Sequence, residues 1–279
     1  MTATALLVAR RNPNLVIGFV LVAIVVAMAL VSLFWTPHPP RRMAMAMRLQ
    51  GPSLKHLMGT DQFGRDVFSQ IMVGAQNALS VSVVAVAIGA TAGSALGLAA
   101  AATRGWVEEL FMRFCDFAYA FPAVLLAIVI SAMIGVGATP TILAIAIFTI
   151  PVFGRLSRGA AIEIWSRSFI AAARTNGRGP LYISLRHILP NIGGLLTVQI
   201  STQIALAIIV EAGLSYLGIG LQPPSISWGK MLADAQTNMA LSPTLAIFPG
   251  LMIAVAVLGF NLLGDGVRDV LDPRLRRSR

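Results

Sequence analysis

The chain has 279 residues, of which 57% are hydrophobic and only 11% are charged. Soluble domains carry about 25% charged residues, so this composition excludes a water-soluble globule, and its high apolar content excludes intrinsic disorder. The net charge of +10 suits a nucleic-acid-binding protein, but such a protein presents its basic face on a soluble fold. The bilayer is therefore the expected solvent, and no nucleic-acid partner is expected.

Apolar stretches recur along the chain at lengths that suit helices crossing a hydrocarbon core of ~30 Å. None of them contains Asp, Glu, Lys or Arg. They predict an all-α polytopic membrane bundle of six transmembrane helices, at residues 15–35, 78–102, 117–137, 139–153, 192–210 and 244–264. The fourth stretch is short and reaches full length only if its helix continues past Arg155.

The distribution of Lys and Arg predicts how these helices are oriented. Alternate segments, including both termini, hold 15 of the 21 basic residues, and the other segments hold 6. The positive-inside rule then places both termini in the cytoplasm, although loop 36–77 is itself basic. The predicted organisation is a cytoplasmic N-terminus 1–14, a first transmembrane helix 15–35, an extracytoplasmic loop 36–77, a five-helix core 78–264 with a cytoplasmic segment 166–190, and a basic cytoplasmic tail 265–279.

The second stretch carries Gly89, Gly93 and Gly97 at steps of four residues. This spacing places the three glycines on one helix face, where another helix can approach closely. The pattern predicts helix packing inside the bundle.

The fifth stretch is unusually polar between Thr197 and Gln203. Two interpretations stay open for Gln199, Ser201 and Gln203: they line a water-filled translocation path, or they donate hydrogen bonds to neighbouring helices. Glu211 follows this stretch, and we expect it to cap the helix end or to face water.

Residues for catalysis are missing from the sequence. The three histidines His38, His56 and His187 are far apart, and Cys115 is the single cysteine, so we predict no catalytic residue and no metal site. No Gly-x-x-x-x-Gly-Lys-Ser/Thr loop is present. We therefore expect no cofactor and no ATPase activity in this chain.

Segment 166–190 predicts two short helices joined by a turn. Gly177 suits the left-handed residue that ends a helix, Pro180 suits the first turn of the next helix, and Pro190 is expected to end that second helix. Such a bracket can anchor the chain on the membrane surface or dock a soluble partner.

This segment resembles the EAA loop of bacterial ABC importer permeases, with Ala172, Ala173, Gly177, Leu189 and Pro190 in the matching positions. Ala171 stands where that family usually has Glu, and His187 stands in the Ile position. Two further blocks are similar to the C-type permeases of dipeptide and oligopeptide importers, one at residues 59–69 and one running from Glu211 through Asp265 to Arg276.

The resemblance implies a type I importer permease core in the bacterial inner membrane. It also implies a B-type permease as heterodimer partner, two ATPase subunits that bind ATP and Mg²⁺, and an extracytoplasmic peptide-binding protein, with membrane lipid around the helices. The five EAA residues would then dock the ATPase. Nickel or metal-chelate cargo within the same family is the alternative, and a secondary transporter or a passive channel is less consistent with charge-free spans that show no internal repeat.

Overall fold

A computed structural model describes residues 12–271, so most of the predicted N-terminus 1–14 and the end of the predicted tail 265–279 lie outside the described residues. The described part is all-α, with one isolated β-bridge between Thr60 and Asp66. Its α-helices are α1 Pro13–Ser32, α2 Val67–Thr103, α3 Trp106–Ala120, α4 Ala123–Ile134, α5 Ala138–Trp165, α6 Ser168–Thr175, α7 Pro180–Ile183, α8 Leu189–Tyr216, α9 Trp228–Ala235 and α10 Thr244–Leu271.

Five helices in this part of the chain are long and apolar enough to cross a membrane, and the bent pair α3–α4 makes a sixth span if it is counted as one. The helix α2 begins at Val67, eleven residues before the predicted second span. Its length of about 56 Å, at 1.5 Å per residue, exceeds the hydrocarbon core, so it projects from the bilayer into what was predicted as loop.

The predicted span 117–137 is not one continuous helix, because the chain breaks at Phe121 and Pro122 into α3 and α4, which meet at 91° and can form one broken span. The residue before a proline rarely adopts α-helical backbone angles, and Phe121 is extended with φ −99° and ψ 123°. The α4 helix alone is about 18 Å long, too short to cross the core.

Glycines bring α2 and α5 into direct contact. A Cβ added at Gly89 would lie 2.6 Å from Thr149 Cβ, and one at Gly97 would lie 3.1 Å from Arg158 N. The contact moves from Gly89 and Thr149 to Gly97 and Arg158, towards the C-terminus of both helices, so α2 and α5 run parallel. The predicted packing role of the glycines is confirmed, and the chain between these helices must return across the bilayer through α3 and α4.

Ion pairs fasten α3 to α5. Arg155 Nη2 donates to Asp116 Oδ1 at 2.5 Å, and Arg158 Nε donates to Glu108 Oε1 at 2.6 Å. The guanidinium of Arg155 also lies over the Tyr119 ring. The predicted continuation of the fourth helix past Arg155 is confirmed, and the arginine meets a carboxylate on the neighbouring helix.

The helices α1 and α10, the first and last within residues 12–271, pack antiparallel. A Cβ added at Gly266 would contact Leu15, one added at Gly18 would contact Leu263, and one added at Gly259 would contact Val22. Ser32 Oγ at the other end of α1 lies 3.4 Å from Gln76 Oε1 near the start of α2. The beginning of α1 and the end of α10 therefore lie at the same end of the bundle as the end of α2.

The loop before α2 is held by Asp61. Its Oδ1 accepts from the backbone N–H groups of Phe63 and Arg65 at 2.8 and 2.9 Å, and its Oδ2 accepts from Arg65 Nε at 2.6 Å and from Gln70 Nε2 at 3.0 Å. Gly64 supplies the positive φ of 72° that this tight turn needs. One buried carboxylate thus folds the loop onto the helix that follows it.

On the same side, α9 is tied to α2 through a buried tryptophan. Trp228 Nε1 donates to the carbonyl oxygen of Ile71 at 3.1 Å, and Gly74 leaves space for the indole, since a Cβ there would lie 2.6 Å from Trp228 Cδ1. The chain after α8 is thereby folded back against the bundle.

We predict that Gly93→Leu destabilises the chain by about 3 kcal/mol or more, because a side chain there overlaps the backbone of α5 at Ile150. The measurement is the unfolding midpoint in detergent. Gly159→Leu on α5 is the matched control, since a Cβ there meets nothing within 4 Å. An equal midpoint in both variants would contradict this packing.

Candidate functional site

The segment between α5 and α8 forms a bracket of two short helices, α6 and α7. A Schellman motif ends α6: Gly177 N donates to Arg174 O at 2.9 Å, and Arg178 N donates to Ala173 O at 3.2 Å. Gly177 has φ +74°, as the left-handed position requires. Pro180 then opens α7, so the predicted turn and second helix are confirmed.

The bracket has a buried face and an exposed face. Ile170, Ile183 and Ile188 are at most 1% exposed and anchor it in the main hydrophobic core. Of the predicted coupling residues, Ala172, Gly177 and Pro190 are exposed, whereas Ala173 and Leu189 are half-buried against that core. The outer face from Ala171 to Gly179 is thus free of core contacts except at Ala173 and consists largely of small residues.

The expectation that Pro190 ends the second helix is wrong, since one helical rod runs from Pro180 to Tyr216. Proline lacks an N–H and its ring crowds the preceding turn. A π-helical stretch at Ser184–Ile188 precedes it, and such wide turns relieve crowding inside helices. Asn191 Nδ2 donates to His187 O at 2.6 Å, which supplies a partner for one carbonyl there.

Aromatic side chains join the two short helices, a feature that the sequence did not reveal. The His187 ring centroid lies 5.8 Å from that of Tyr182 and 6.5 Å from that of Phe169. Arg178 lies 4.8 Å over the Tyr182 ring. His187, which stands in the family's Ile position, therefore packs against the rings of Phe169 and Tyr182. The aromatic residues in segment 166–190 could have indicated this contact from the sequence.

Basic side chains surround the inner edge of the bracket. Arg174 and Arg178 line a cleft together with Trp165 and with Arg104, which follows the end of α2. On the outer side, Leu181, Tyr182 and Leu185 form an exposed apolar patch beside Arg186. Small residues, arginines and exposed apolar side chains around one short segment are typical of a protein-docking region.

The polar part of α8 is divided between exposed and buried positions. Gln199 is half-exposed, on a stripe with the exposed Leu195, Leu206 and Ile209. Ser201 and Gln203 are buried, and the Ser201 Cβ would lie 3.1 Å from a Cβ added at Gly264 of α10. The structure therefore places the three residues near one another but gives them different surroundings.

Glu211 neither caps a helix nor faces water, contrary to the expectation from the sequence. It is 0% exposed, and its Oε1 accepts from Ser215 Oγ at 2.8 Å. Ser215 Oγ in turn accepts from Leu221 N at 3.1 Å. The chain after Tyr216 folds back over this end of α8, which is a tertiary contact that the local sequence does not show.

Two of the histidines meet, although their separation in sequence suggested otherwise. His38, His56 and Asp66 offer metal-ligand atoms that lie within 4.8 Å of one another. His187 lies elsewhere, in the bracket. The separation of the histidines in sequence, on which the expectation of no metal site rested, is therefore not kept for His38 and His56 in the fold.

Comparisons with known proteins agree with this architecture. Residues 93–277 match the family described as binding-protein-dependent transport system inner membrane component. A chain of the MetNI methionine ABC transporter, solved in inward-facing conformations, is similar in fold, with a TM-score of 0.59 and 17% sequence identity over 71% of this chain and 95% of that chain.

Curated relatives are closer in sequence. The glutathione transport system permease protein GsiD of Escherichia coli O6:K15:H31 (strain 536 / UPEC) is 46% identical over 226 residues, which is 81% of this chain and 75% of the relative. The proteins of that name from Shigella boydii serotype 4 and Shigella sonnei match to the same extent. This chain therefore belongs to the inner membrane components of binding-protein-dependent transport systems and is a permease component of an ABC importer.

Proposed function

We propose that this chain is the C-type permease subunit of an ATP-driven importer of dipeptides, oligopeptides or related peptides such as glutathione. The cargo class is supported by the name of its 46% identical relatives and by the blocks at residues 59–69 and 211–276 that are similar to peptide-importer permeases. In this proposal the chain pairs with a B-type permease and receives cargo from an extracytoplasmic peptide-binding protein.

The observation that carries the proposal is the bracket of α6 and α7. Its isoleucine anchors are fully buried in the bundle, while its small outer residues other than Ala173 make no core contact. A rigid anchored element with a free surface suits docking of an ATPase subunit. Two such ATPases would bind and hydrolyse ATP with Mg²⁺, and their closure would shift the helices only by the difference in binding energy between transporter states.

We place this bracket and both termini on the cytoplasmic side. The end of α10 lies near the bracket, because a Cβ at Gly194 would lie 3.0 Å from Leu271 Cδ1, and the start of α1 packs beside Gly266. Both ends of the described chain are therefore at the bracket's end of the bundle. The excess of Lys and Arg on these segments supports a cytoplasmic orientation.

We also propose that α8 borders the translocation path through Gln199, Ser201 and Gln203. Gln199 is half-exposed on a stripe with the exposed Leu195, Leu206 and Ile209, which no helix within residues 12–271 buries, and Gln203 is one turn away. Rocking of α8 against α10 at the contact between Ser201 and Gly264 would change the solvent exposure of the buried Ser201 and Gln203.

The first prediction concerns ATPase docking. In a Cys115→Ser background, Ala172→Cys should crosslink to an ATPase subunit in membranes that contain the assembled complex, because Ala172 is exposed on the docking face. Val20→Cys, which is exposed on α1, is the control and should not crosslink. Crosslinking of neither or of both would contradict docking at α6.

The second prediction distinguishes the effect of side-chain size at Gly177 from the effect of backbone conformation at the same position. Gly177→Trp should reduce ATP-coupled uptake at least about tenfold while the chain remains inserted, since the space around Gly177 is open and would be needed by a partner. Gly177→Asn should retain most uptake, because Asn tolerates a positive φ. Wild-type uptake in the Trp variant would argue against docking there.

The third prediction concerns the path. With Cys115 replaced, a cysteine at Gln199 should react with a water-soluble thiol reagent, whereas cysteines at Ser201 and Gln203 should react only when nucleotide cycling opens the bundle. Measured modification rates with and without ATP test this. If all three stay unreactive in every state, interhelical packing accounts for the polar residues.

Cargo and energy source are tested in vesicles that contain the whole complex. Uptake of labelled dipeptide and glutathione should require ATP, the partner subunits and the binding protein. Uptake without nucleotide would indicate a secondary transporter or a channel, and uptake of nickel in place of peptide would assign the alternative cargo.

A further inference from the structure

The loop between α1 and α2 brings together two imidazoles and one carboxylate from three separate places in the chain. His38 follows α1, His56 lies in a turn, and Asp66 precedes the first residue of α2. We propose that His38, His56 and Asp66 form a binding site for a divalent transition-metal ion, with Zn²⁺ as the ion that suits it best.

The distances to one carboxylate oxygen support this assignment. Asp66 Oδ1 lies 2.8 Å from His56 Nδ1 and 3.7 Å from His38 Nδ1. In a tetrahedral zinc site with bonds of 2.0–2.1 Å, neighbouring ligand atoms are about 3.3 Å apart. The two observed distances lie on either side of that value, and the three ligand atoms lie within 4.8 Å of one another, so side-chain shifts would have to bring them to ligand distance around an ion.

Hydrogen bonds within residues 12–271 do not reach every buried nitrogen of this cluster. His38 Nδ1 and His56 Nε2 are buried and have no hydrogen-bond partner among the described residues. The His38 nitrogen nevertheless faces the carboxylate that already binds His56. Buried polar atoms are nearly always partnered, and an ion bound at both Nδ1 atoms would supply the partner that His38 lacks.

The carboxylate is held in place for such a role. Asp66 Oδ2 accepts from Ser69 N at 2.8 Å and from Ser69 Oγ at 2.7 Å, which leaves Oδ1 directed at the imidazoles. Ser69 Oγ also accepts from the backbone N–H of His38 at 3.1 Å. One buried serine therefore positions two of the three ligands, as partners of ligand residues do in metal sites.

The other ligand segments are also restrained. His38 lies between Pro37 and Pro39, which limit its backbone. His56 is fixed by reciprocal hydrogen bonds with Ser53, from His56 N to Ser53 Oγ at 3.1 Å and from Ser53 N to His56 O at 2.8 Å. The ligands are thus arranged before an ion binds, which favours binding.

The ligand types select the class of ion. Two imidazole nitrogens and one carboxylate oxygen suit Zn²⁺ and related first-row ions better than Mg²⁺ or Ca²⁺, which prefer oxygen ligands. Three protein ligands leave a fourth position for water or for a group from a docked protein. The bound ion would join the end of α1, the loop and the start of α2.

The test measures zinc in the intact transporter, purified without a histidine tag and dialysed against Zn²⁺. Wild type should retain about one Zn²⁺ per chain of this subunit by mass spectrometry, in line with a three-ligand protein site. His38→Ala and His56→Ala should each retain about tenfold less. His187→Ala is the matched control, because it removes the one histidine outside the cluster, and should retain the wild-type amount.

Assembly of every variant is checked by size-exclusion chromatography. If His56→Ala fails to assemble, His38→Ala decides the result, since about a third of its side chain is exposed. Asp66→Asn keeps an oxygen acceptor for the Ser69 N–H and should still lose zinc. Zinc content near zero in wild type, or equal zinc in wild type and in the His38 and Asp66 variants, would overturn the proposal.

Discussion

The contact between α2 and α5 is the constraint on which the rest of the bundle depends. Within lipid, helices gain no hydrophobic energy by associating, so they associate where small residues allow close packing. Gly89, Gly93 and Gly97 allow the two backbones to meet, and they do so with both helices running in the same direction. This parallel arrangement forces the intervening chain to return across the bilayer and places the ends of α2 and α5 side by side, where the bracket is attached.

Features encoded by local chemistry could be predicted from the sequence. The charge-free stretches indicated the spans, the four-residue glycine spacing indicated the helix contact, and Gly177 with Pro180 indicated the turn of the bracket. Each depends on the properties of one residue type at a short spacing. The resemblance of Ala172, Ala173 and Gly177 to a known loop identified the family before any geometry was considered.

Features that depend on distant contacts could not be predicted in this way. Pro122 breaks a helix and Pro190 does not, and a π-helical stretch precedes only the second. Glu211 is buried because the chain that follows α8 folds over it. His38 and His56 are eighteen positions apart, and only the fold of the loop onto Asp66 brings their rings to a centroid distance of 4.5 Å.

The continuity of the helix from Pro180 to Tyr216 has a thermodynamic consequence. Over about 55 Å it joins the bracket to the opposite surface of the bundle, where Trp228 binds α2. If a protein docked at one surface changes the affinity at the other, linkage requires that the change be reciprocal and equal. Under the proposed function, a binding protein whose arrival favours nucleotide-dependent closure would be bound more tightly in the closed state by the same factor.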